Sequence, residues 1–270
     1  MAMDKFDKKI AIIGGGHIGQ ALAEGFIKSG KVTGTQIIVA SPSLGKLAHL
    51  KKHEIELTSD NKIASVKADL IFLAVKPLTI GLVLKEINTV LKRKTVISLA
   101  AVVSISDLKN HVENVEIVRI MPNMAIACNQ GVIGLFGNGR DKNQIKQLLS
   151  VLGSVIEMEK EEDLDSLTLL SGCGPAIVSQ FMEMLKNYGI KIGLSSDISL
   201  TLVLQTFKGT SAMLEKSKLS PSQLVQSVST KGGISEAILM TMEEQNLEAD
   251  FANAMNAGYA KLEKLKESLR

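Results

Sequence analysis

Short, unbroken apolar runs alternate with helix-like stretches through the first half of the chain. Lys9 to Ile13, Gln36 to Val39, Asp69 to Val75, Thr95 to Leu99, Glu116 to Met121 and Val132 to Phe136 are such runs, and Ser154 to Met158 fits an edge strand. Val, Ile and Leu without polar alternation mark strands covered on both faces. Apolar residues at helical spacing lie between them, over about Ile18–Ser29, Leu44–Lys51, Leu78–Leu91, Ile105–Asn110 and Lys142–Leu152. This alternation predicts an α/β fold with a doubly wound parallel sheet.

The pattern changes after the acidic stretch Glu157 to Asp165, beyond which every long segment reads as helix. Pro175–Tyr188, Asp197–Lys216 and Gly233–Gln245 carry apolar residues at helical spacing, and Leu247, Phe251, Met255, Tyr259, Leu262 and Leu265 continue it to the end. The boundary is placed between Met158 and Ser166, which divides the chain into a sheet domain, 1–162, and an all-helical domain, 163–270. Between Ile198 and Leu214 apolar residues ring the helix almost completely (Leu200, Leu202, Val203, Leu204, Phe207, Ala212, Met213). Such a helix must be buried on several sides, and a small helical domain has little interior in which to bury it. Self-association as a homodimer, or a higher oligomer of dimers, resolves this. Packing against the sheet domain of the same chain is the alternative.

Composition narrows the class. The chain has 270 residues, 45% hydrophobic and 22% charged, with a formal net charge of +3. Acids and bases are interspersed, so neither nucleic acid nor a lipid surface is an expected partner. No leader-like apolar segment precedes the first strand, and no apolar run reaches the roughly 20 residues of a membrane span. Cys128 and Cys173 are too few for a disulfide framework and lack metal-site spacing. A cytoplasmic protein without a metal is expected. With no Trp and 3% aromatic residues, the core must be built from aliphatic side chains and Met.

Candidate chemistry begins at Gly14, Gly16 and Gly19, a G-x-G-x-x-G pattern between the first strand and the first helix. In a Rossmann-type sheet these glycines serve a tight turn, close approach of the backbone to pyrophosphate, and helix–strand packing. The helix start supplies unpaired N–H groups and the positive end of its dipole. NAD-selective sites carry Asp or Glu about 20 residues on; here stand Val39, Ala40, Ser41, Pro42 and Ser43, with Lys46 within reach. NADPH is therefore the expected cofactor, with NADH possible.

Further motifs stand in order along the chain: Phe72 to Pro77 (Phe-Leu-Ala-Val-Lys-Pro), Ala100 and Ala101, Arg119 to Asn123 (Arg-Ile-Met-Pro-Asn), Leu170 to Ala176 (Leu-Ser-Gly-Cys-Gly-Pro-Ala), and Val228 to Ser235. Together they resemble pyrroline-5-carboxylate reductase nearly end to end. The resemblance implies reduction of 1-pyrroline-5-carboxylate to L-proline by hydride transfer from NAD(P)H, the last step of proline biosynthesis. It implies that Ile13, Gly16, His17 and Ile18 meet the pyrophosphate in the cofactor-binding loop that Gly14 and Gly19 help to form, and that Ser41, Pro42 and Asn61 meet the adenosine ribose and its phosphate. Ala74, Val75, Lys76, Pro77, Ala100 and Asn123 then belong to the rest of the cofactor site. Thr230, Gly232, Gly233, Ile234 and Ser235 hold the substrate, with the Ser235 hydroxyl near the ring nitrogen. Ser235 and Lys76 are the candidate catalytic residues, Lys76 either as a proton donor or as a ribose contact. The resemblance also implies that the substrate pocket is completed across the dimer.

The chemistry suits these residue types. Backbone N–H groups opening a helix at Gly233 to Ser235 make an anion cradle without Lys or Arg. Hydride attack on a protonated imine removes positive charge, so neither an oxyanion hole nor a strong acid is required. The hydride chemistry belongs to the nicotinamide, and the protein supplies position and water exclusion. The chain departs from the family pattern at Met124 and Ala125 (usually Thr-Pro), Lys231 (Pro), Ile234 (a small residue) and Cys173 (Ser). Those changes leave two alternatives open: a reductase of another cyclic imine, or a non-catalytic, NADP-binding structural dimer. A β-hydroxyacid dehydrogenase shares the plan but needs a Lys soon after the Gly-rich helix start, and Gly172 to Gln180 has none.

Overall fold

The computed structural model describes residues 6–269. Met1 to Lys5 and Arg270, at the outer ends of the two expected domains, lie outside the described residues. The chain forms two compact units: one runs up to Pro175 and takes in the chain again from Lys261, the other comprises Ala176–Ala260.

The first unit is built on a single eight-stranded sheet. Its strands are β1 (Ile10–Ile13), β2 (Ile37–Ala40), β3 (Glu56–Thr58), β4 (Leu70–Leu73), β5 (Thr95–Ser98), β6 (Glu116–Pro122), β7 (Gly131–Phe136) and β8 (Gly153–Glu157). They lie in the order β3-β2-β1-β4-β5-β6-β7-β8. Helices α1 (His17–Lys28), α2 (Asn61–Lys67), α3 (Pro77–Ile87), α4 (Ile105–Lys109) and α5 (Lys142–Ser150) connect them, with α6 (Asp163–Leu167) following β8. Alternate residues of each covered strand feed opposite faces, as the two-residue period of a strand requires. Ile10 and Ile12 join Leu22, Phe26 and Phe72 in one core, whereas Ala11 and Ile13 join Ile71, Leu73, Leu84 and Ile87 in the other. Phe26 and Phe72 meet edge to face, with centroids 5.8 Å apart.

The expected doubly wound, parallel-dominated sheet is present; it is parallel through β6 and reverses once, at β7. β7 pairs antiparallel with β6, and β8 pairs parallel with β7. The cause is the connection. Between β6 and β7 runs a short 3-10 helix, Met124–Cys128, too short for the crossover of a dozen or more residues that a parallel return needs. Two short elements also had no sequence signal, β3 and α2, and Leu44–His53 is a 3-10 rather than an α-helix.

The second unit is helical: most of α7 (Gly174–Lys191), α8 (Ser196–Ser217), α9 (Pro221–Val228), α10 (Ile234–Glu244) and α11 (Leu247–Glu267) up to Ala260. α7 and α8 approach closely at Gly189, where an added Cβ would stand 2.7 Å from the Ser199 hydroxyl. Along α8 the buried residues are Ser199 and Val203, and Ile198, Leu202, Leu204 and Met213 are about half exposed. Among the described residues no helix is long and apolar enough to cross a membrane.

Candidate active site

The sheet order places β1 between β2 and β4, so the chain leaves β1 at a point where neighbouring connections run to opposite sides. Ligands of open α/β sheets bind in the crevice beyond the strand ends at such a switch point. Ile13 is in register with Ala40 on one side and Leu73 on the other, and Leu73 with Ser98. The residues that follow at once, Gly14, Ser41 and Ala74, are thereby aligned along one edge, with Ala100 two residues past Ser98.

The glycines divide the work between them. Gly14 adopts φ 112°, and a Cβ there would lie 2.4 Å from the Ala74 carbonyl oxygen. At Gly19 a Cβ would lie 2.0 Å from the Gly14 carbonyl oxygen. These two fix the turn and seat α1 on the sheet. At Gly16 a Cβ would meet nothing within 4 Å among the described residues. Its backbone faces open space, where a phosphate can come up to it. Gly16 is the N-cap of α1 and no described side chain caps that helix, so the N–H groups of His17 and Ile18 lack intrahelical partners by helix geometry. Gly15 carried no role in the sequence reading, yet a Cβ there would strike Leu47 at 2.7 Å and Ser41 at 2.8 Å. The third adjacent glycine was the available signal.

Ser41 is buried, and its Oγ accepts the Ser43 N–H at 3.3 Å, while its own N–H donates to the Thr58 carbonyl at 3.0 Å. Pro42, Ser43 and Lys46 beside it are exposed. Asn61 opens α2, and its Nδ2 donates to Glu86 at 2.8 Å. Lys76 is exposed at the N-cap of α3, followed by Pro77. The Asn123 side chain is occupied with the protein itself: Oδ1 accepts from the Ala125 and Val132 N–H groups at 3.2 and 3.3 Å, and Nδ2 donates to Ser171 Oγ at 3.1 Å.

Arg119, in the Arg-Ile-Met-Pro-Asn motif, supports the site from behind. Arg119 is 3% exposed in the middle of β6. Its Nη1 donates to Glu161 at 2.8 Å and its Nη2 reaches the Ala100 carbonyl at 3.4 Å. The same Glu161 oxygen accepts the Ile105 N–H at 2.7 Å. A charge set between apolar residues in the buried stretch of a strand was the sequence signal, because a buried charge needs a partner. Just past Ala100, Val102 holds φ 59°, a left-handed conformation that a β-branched residue rarely adopts.

In the second unit, Thr230 to Gly233 form the turn that opens α10. Gly232 adopts φ 75°, and the Gly233 N–H donates to the Thr230 carbonyl at 2.9 Å. Gly233 is the N-cap, with no side-chain hydrogen bond, and Ile234 and Ser235 are exposed in the first turn. The Gly232 N–H donates to Glu236 Oε2 at 2.6 Å. A groove of about 830 Å³, lined by Phe181, Met242, Leu247 and Phe251 among others, lies elsewhere in this unit and holds none of the expected site residues.

A glycine-lined sheet edge of this order, followed by a helical unit, defines a dinucleotide-dependent oxidoreductase of Rossmann type. Residues 9–102 match the family described as NADP oxidoreductase, coenzyme F420-dependent, and residues 161–265 match pyrroline-5-carboxylate reductase dimerisation. The chain belongs to the pyrroline-5-carboxylate reductase family. It is 32% identical to pyrroline-5-carboxylate reductase 3 of Danio rerio, with 94% of this chain and 90% of that protein covered. It is 32% identical to pyrroline-5-carboxylate reductase of Corynebacterium melassecola, covering 92% of this chain and 95% of the relative. The structure of Plasmodium falciparum pyrroline carboxylate reductase with NADP bound superposes with a TM-score of 0.88 at 31% identity, covering 96% of this chain and 98% of the other.

Proposed function

We propose that this protein reduces 1-pyrroline-5-carboxylate to L-proline with NADPH as hydride donor, acting as a self-associated enzyme in the cytoplasm. The observation that carries the cofactor assignment is the contrast at the glycines: Gly14, Gly15 and Gly19 are closed in by neighbouring atoms, and Gly16 alone of the four faces open space. That opening fits a pyrophosphate set against the N–H groups of His17 and Ile18. Ser41 and Ser43, with Lys46 nearby and no carboxylate at the end of β2, favour a ribose bearing a 2′-phosphate. Ala74, Val75, Lys76, Pro77 and Ala100 are assigned to the nicotinamide half. Asn123 acts there indirectly, by holding its loop.

Bound NADPH supplies the hydride, which adds to the imine carbon. The residues of the chain bind, orient and exclude water. The turn at Thr230 to Ser235 receives the substrate carboxylate on backbone N–H groups, and the Ser235 hydroxyl orients the ring nitrogen. That nitrogen is protonated before hydride arrives and leaves as the secondary amine of proline, so no base need remove a proton during the transfer. Lys76 is assigned to the cofactor ribose side, where its charge also favours phosphate. The region 163–270 serves substrate binding and self-association, as a homodimer or a higher oligomer of dimers. Two exposed free thiols, Cys128 and Cys173, suit a reducing compartment.

The test is NADPH oxidation by purified protein with pyrroline-5-carboxylate, beside smaller and larger cyclic imines. Turnover that is fastest with pyrroline-5-carboxylate is expected, with NADPH preferred to NADH. Ser235→Ala should lower turnover about 10- to 100-fold with cofactor affinity retained, as befits a single orienting group. Tight NADPH binding without turnover of any imine would overturn the reductase reading in favour of a structural dimer.

A further inference from the structure

We propose that Glu236 is a specificity-determining residue, because its carboxylate already holds the Gly232 N–H that a substrate carboxylate would take. The inference rests on the substrate reading given to the Thr230–Ser235 turn. Glu236 lies in the first turn of α10 and is the acidic residue there. Its Oε2 accepts the Gly232 N–H at 2.6 Å, a short, charge-assisted bond of the stronger kind. The helix dipole reinforces it, since a negative charge in the first turn is stabilised. Gly232 reaches its place through φ 75°, which turns its N–H toward the helix start instead of along the chain. One N–H at the mouth of the turn that suits a carboxylated ring is therefore already held by a carboxylate from the chain itself.

Two consequences follow from charge alone. An incoming substrate carboxylate must displace Glu236 and then sit beside it, like charge near like charge. A ring of the same size with no carboxylate meets neither obstacle. Glu236 thus weakens binding of pyrroline-5-carboxylate and of proline, and narrows the enzyme's preference for carboxylated imines over plain ones.

Steady-state kinetics with pyrroline-5-carboxylate and with 1-pyrroline, on the full-length protein and its Glu236→Gln and Glu236→Ala variants, test this. The ratio of kcat/KM for the carboxylated over the plain ring should rise about tenfold in both variants, the change residing in KM for the carboxylated ring. Calorimetric titration of L-proline into the NADP-loaded proteins should show binding tightened by a similar factor. An unchanged or lowered ratio, with proline binding no tighter, would mean that Glu236 merely shapes the turn, and would overturn the proposal. Tighter proline binding by the variants, in a protein that reduces neither imine, would sink the reductase assignment while leaving this inference standing. Absence of proline binding by wild type and variants alike, with the kinetic ratio unchanged, would overturn the inference, and turnover of pyrroline-5-carboxylate by the same protein would leave the reductase assignment standing.

Discussion

Four glycines within six residues carry different physical loads, and substitution separates them. Gly19→Ala pushes a methyl to within 2.0 Å of the Gly14 carbonyl oxygen, and overpacking of that kind costs about 1–3 kcal/mol. It should lower the denaturant midpoint as well as cofactor affinity. At Gly16 an added Cβ meets nothing within 4 Å among the described residues, so Gly16→Val should unfold at the wild-type denaturant concentration, yet lose NADPH affinity by at least about 30-fold, since it fills the phosphate approach. Equal stability loss in both variants, or retained affinity in Gly16→Val, would contradict this division. Val102 offers the opposite case. An L-residue held at φ 59° stores roughly 1–2 kcal/mol, and glycine relieves it at the expense of about 0.5–1 kcal/mol in chain entropy. Val102→Gly should therefore be neutral to stabilising by up to about 1 kcal/mol, read from urea unfolding; a clear loss would show that the Val102 side chain packs more than its backbone strains. The glycine pattern was legible in the letters. The strain at Val102 and the bond from Gly232 to Glu236 were not, because each depends on a backbone dihedral that no residue type announces.

Among the elements, the long covered strands were readable because β1, β4 and β5 consist almost wholly of β-branched or large apolar residues. β3 is three residues long, with one apolar side chain, and gives no periodic signal. The reversal at β7 was hidden for another reason: a strand covered on both faces reads the same in either direction. β6 contains the joint that stabilises the loop after β5, through Arg119. Arg119→Met removes the guanidinium from Glu161 and from the Ala100 carbonyl; breaking a buried pair in this way costs about 3–5 kcal/mol, here toward the lower end because Glu161 is 20% exposed. NADPH affinity should fall together with the unfolding free energy, and Arg119→Lys should restore part of both. Intact NADPH affinity in a destabilised Arg119→Met protein would detach this pair from the cofactor site. Between α5 and β8, hydrogen bonds from Lys142 and Lys146, at 2.8 and 2.5 Å, hold the Glu157 carboxyl down from the usual 4.5 to about 2. A lowered pKa in the folded state means that the contribution is full above the ordinary value and is lost as pH falls toward 2. Glu157→Gln should thus flatten the acid limb of a melting-temperature profile between those limits; the effect is small at this exposed site and should vanish in high salt. An identical acid limb in low salt would remove Glu157 from the account.

At the scale of the whole molecule, the α8 helix was expected to need cover on several sides, either from a second copy or from the sheet domain of its own chain. Ile198, Leu200, Leu202, Leu204 and Met213 remain about half exposed within one chain, and the region carries the dimerisation family match. Large apolar residues left exposed together on one helix mark an interface. Light scattering should find the monomer absent at micromolar concentration, and the melting temperature should climb with protein concentration. Replacing Leu202 and Leu204 with Ser should yield monomers of lower melting temperature that no longer depend on concentration. A monodisperse, fully stable wild-type monomer would refute the assignment.

The bareness of α8 in an isolated copy also has a bearing on supply. If folding of the helical region is completed by a second subunit, the folded fraction obeys mass action. Halving the rate of synthesis then costs more than half of the active sites, since scarce subunits spend longer alone and open to proteolysis. The yield of this catalyst would bend upward with expression.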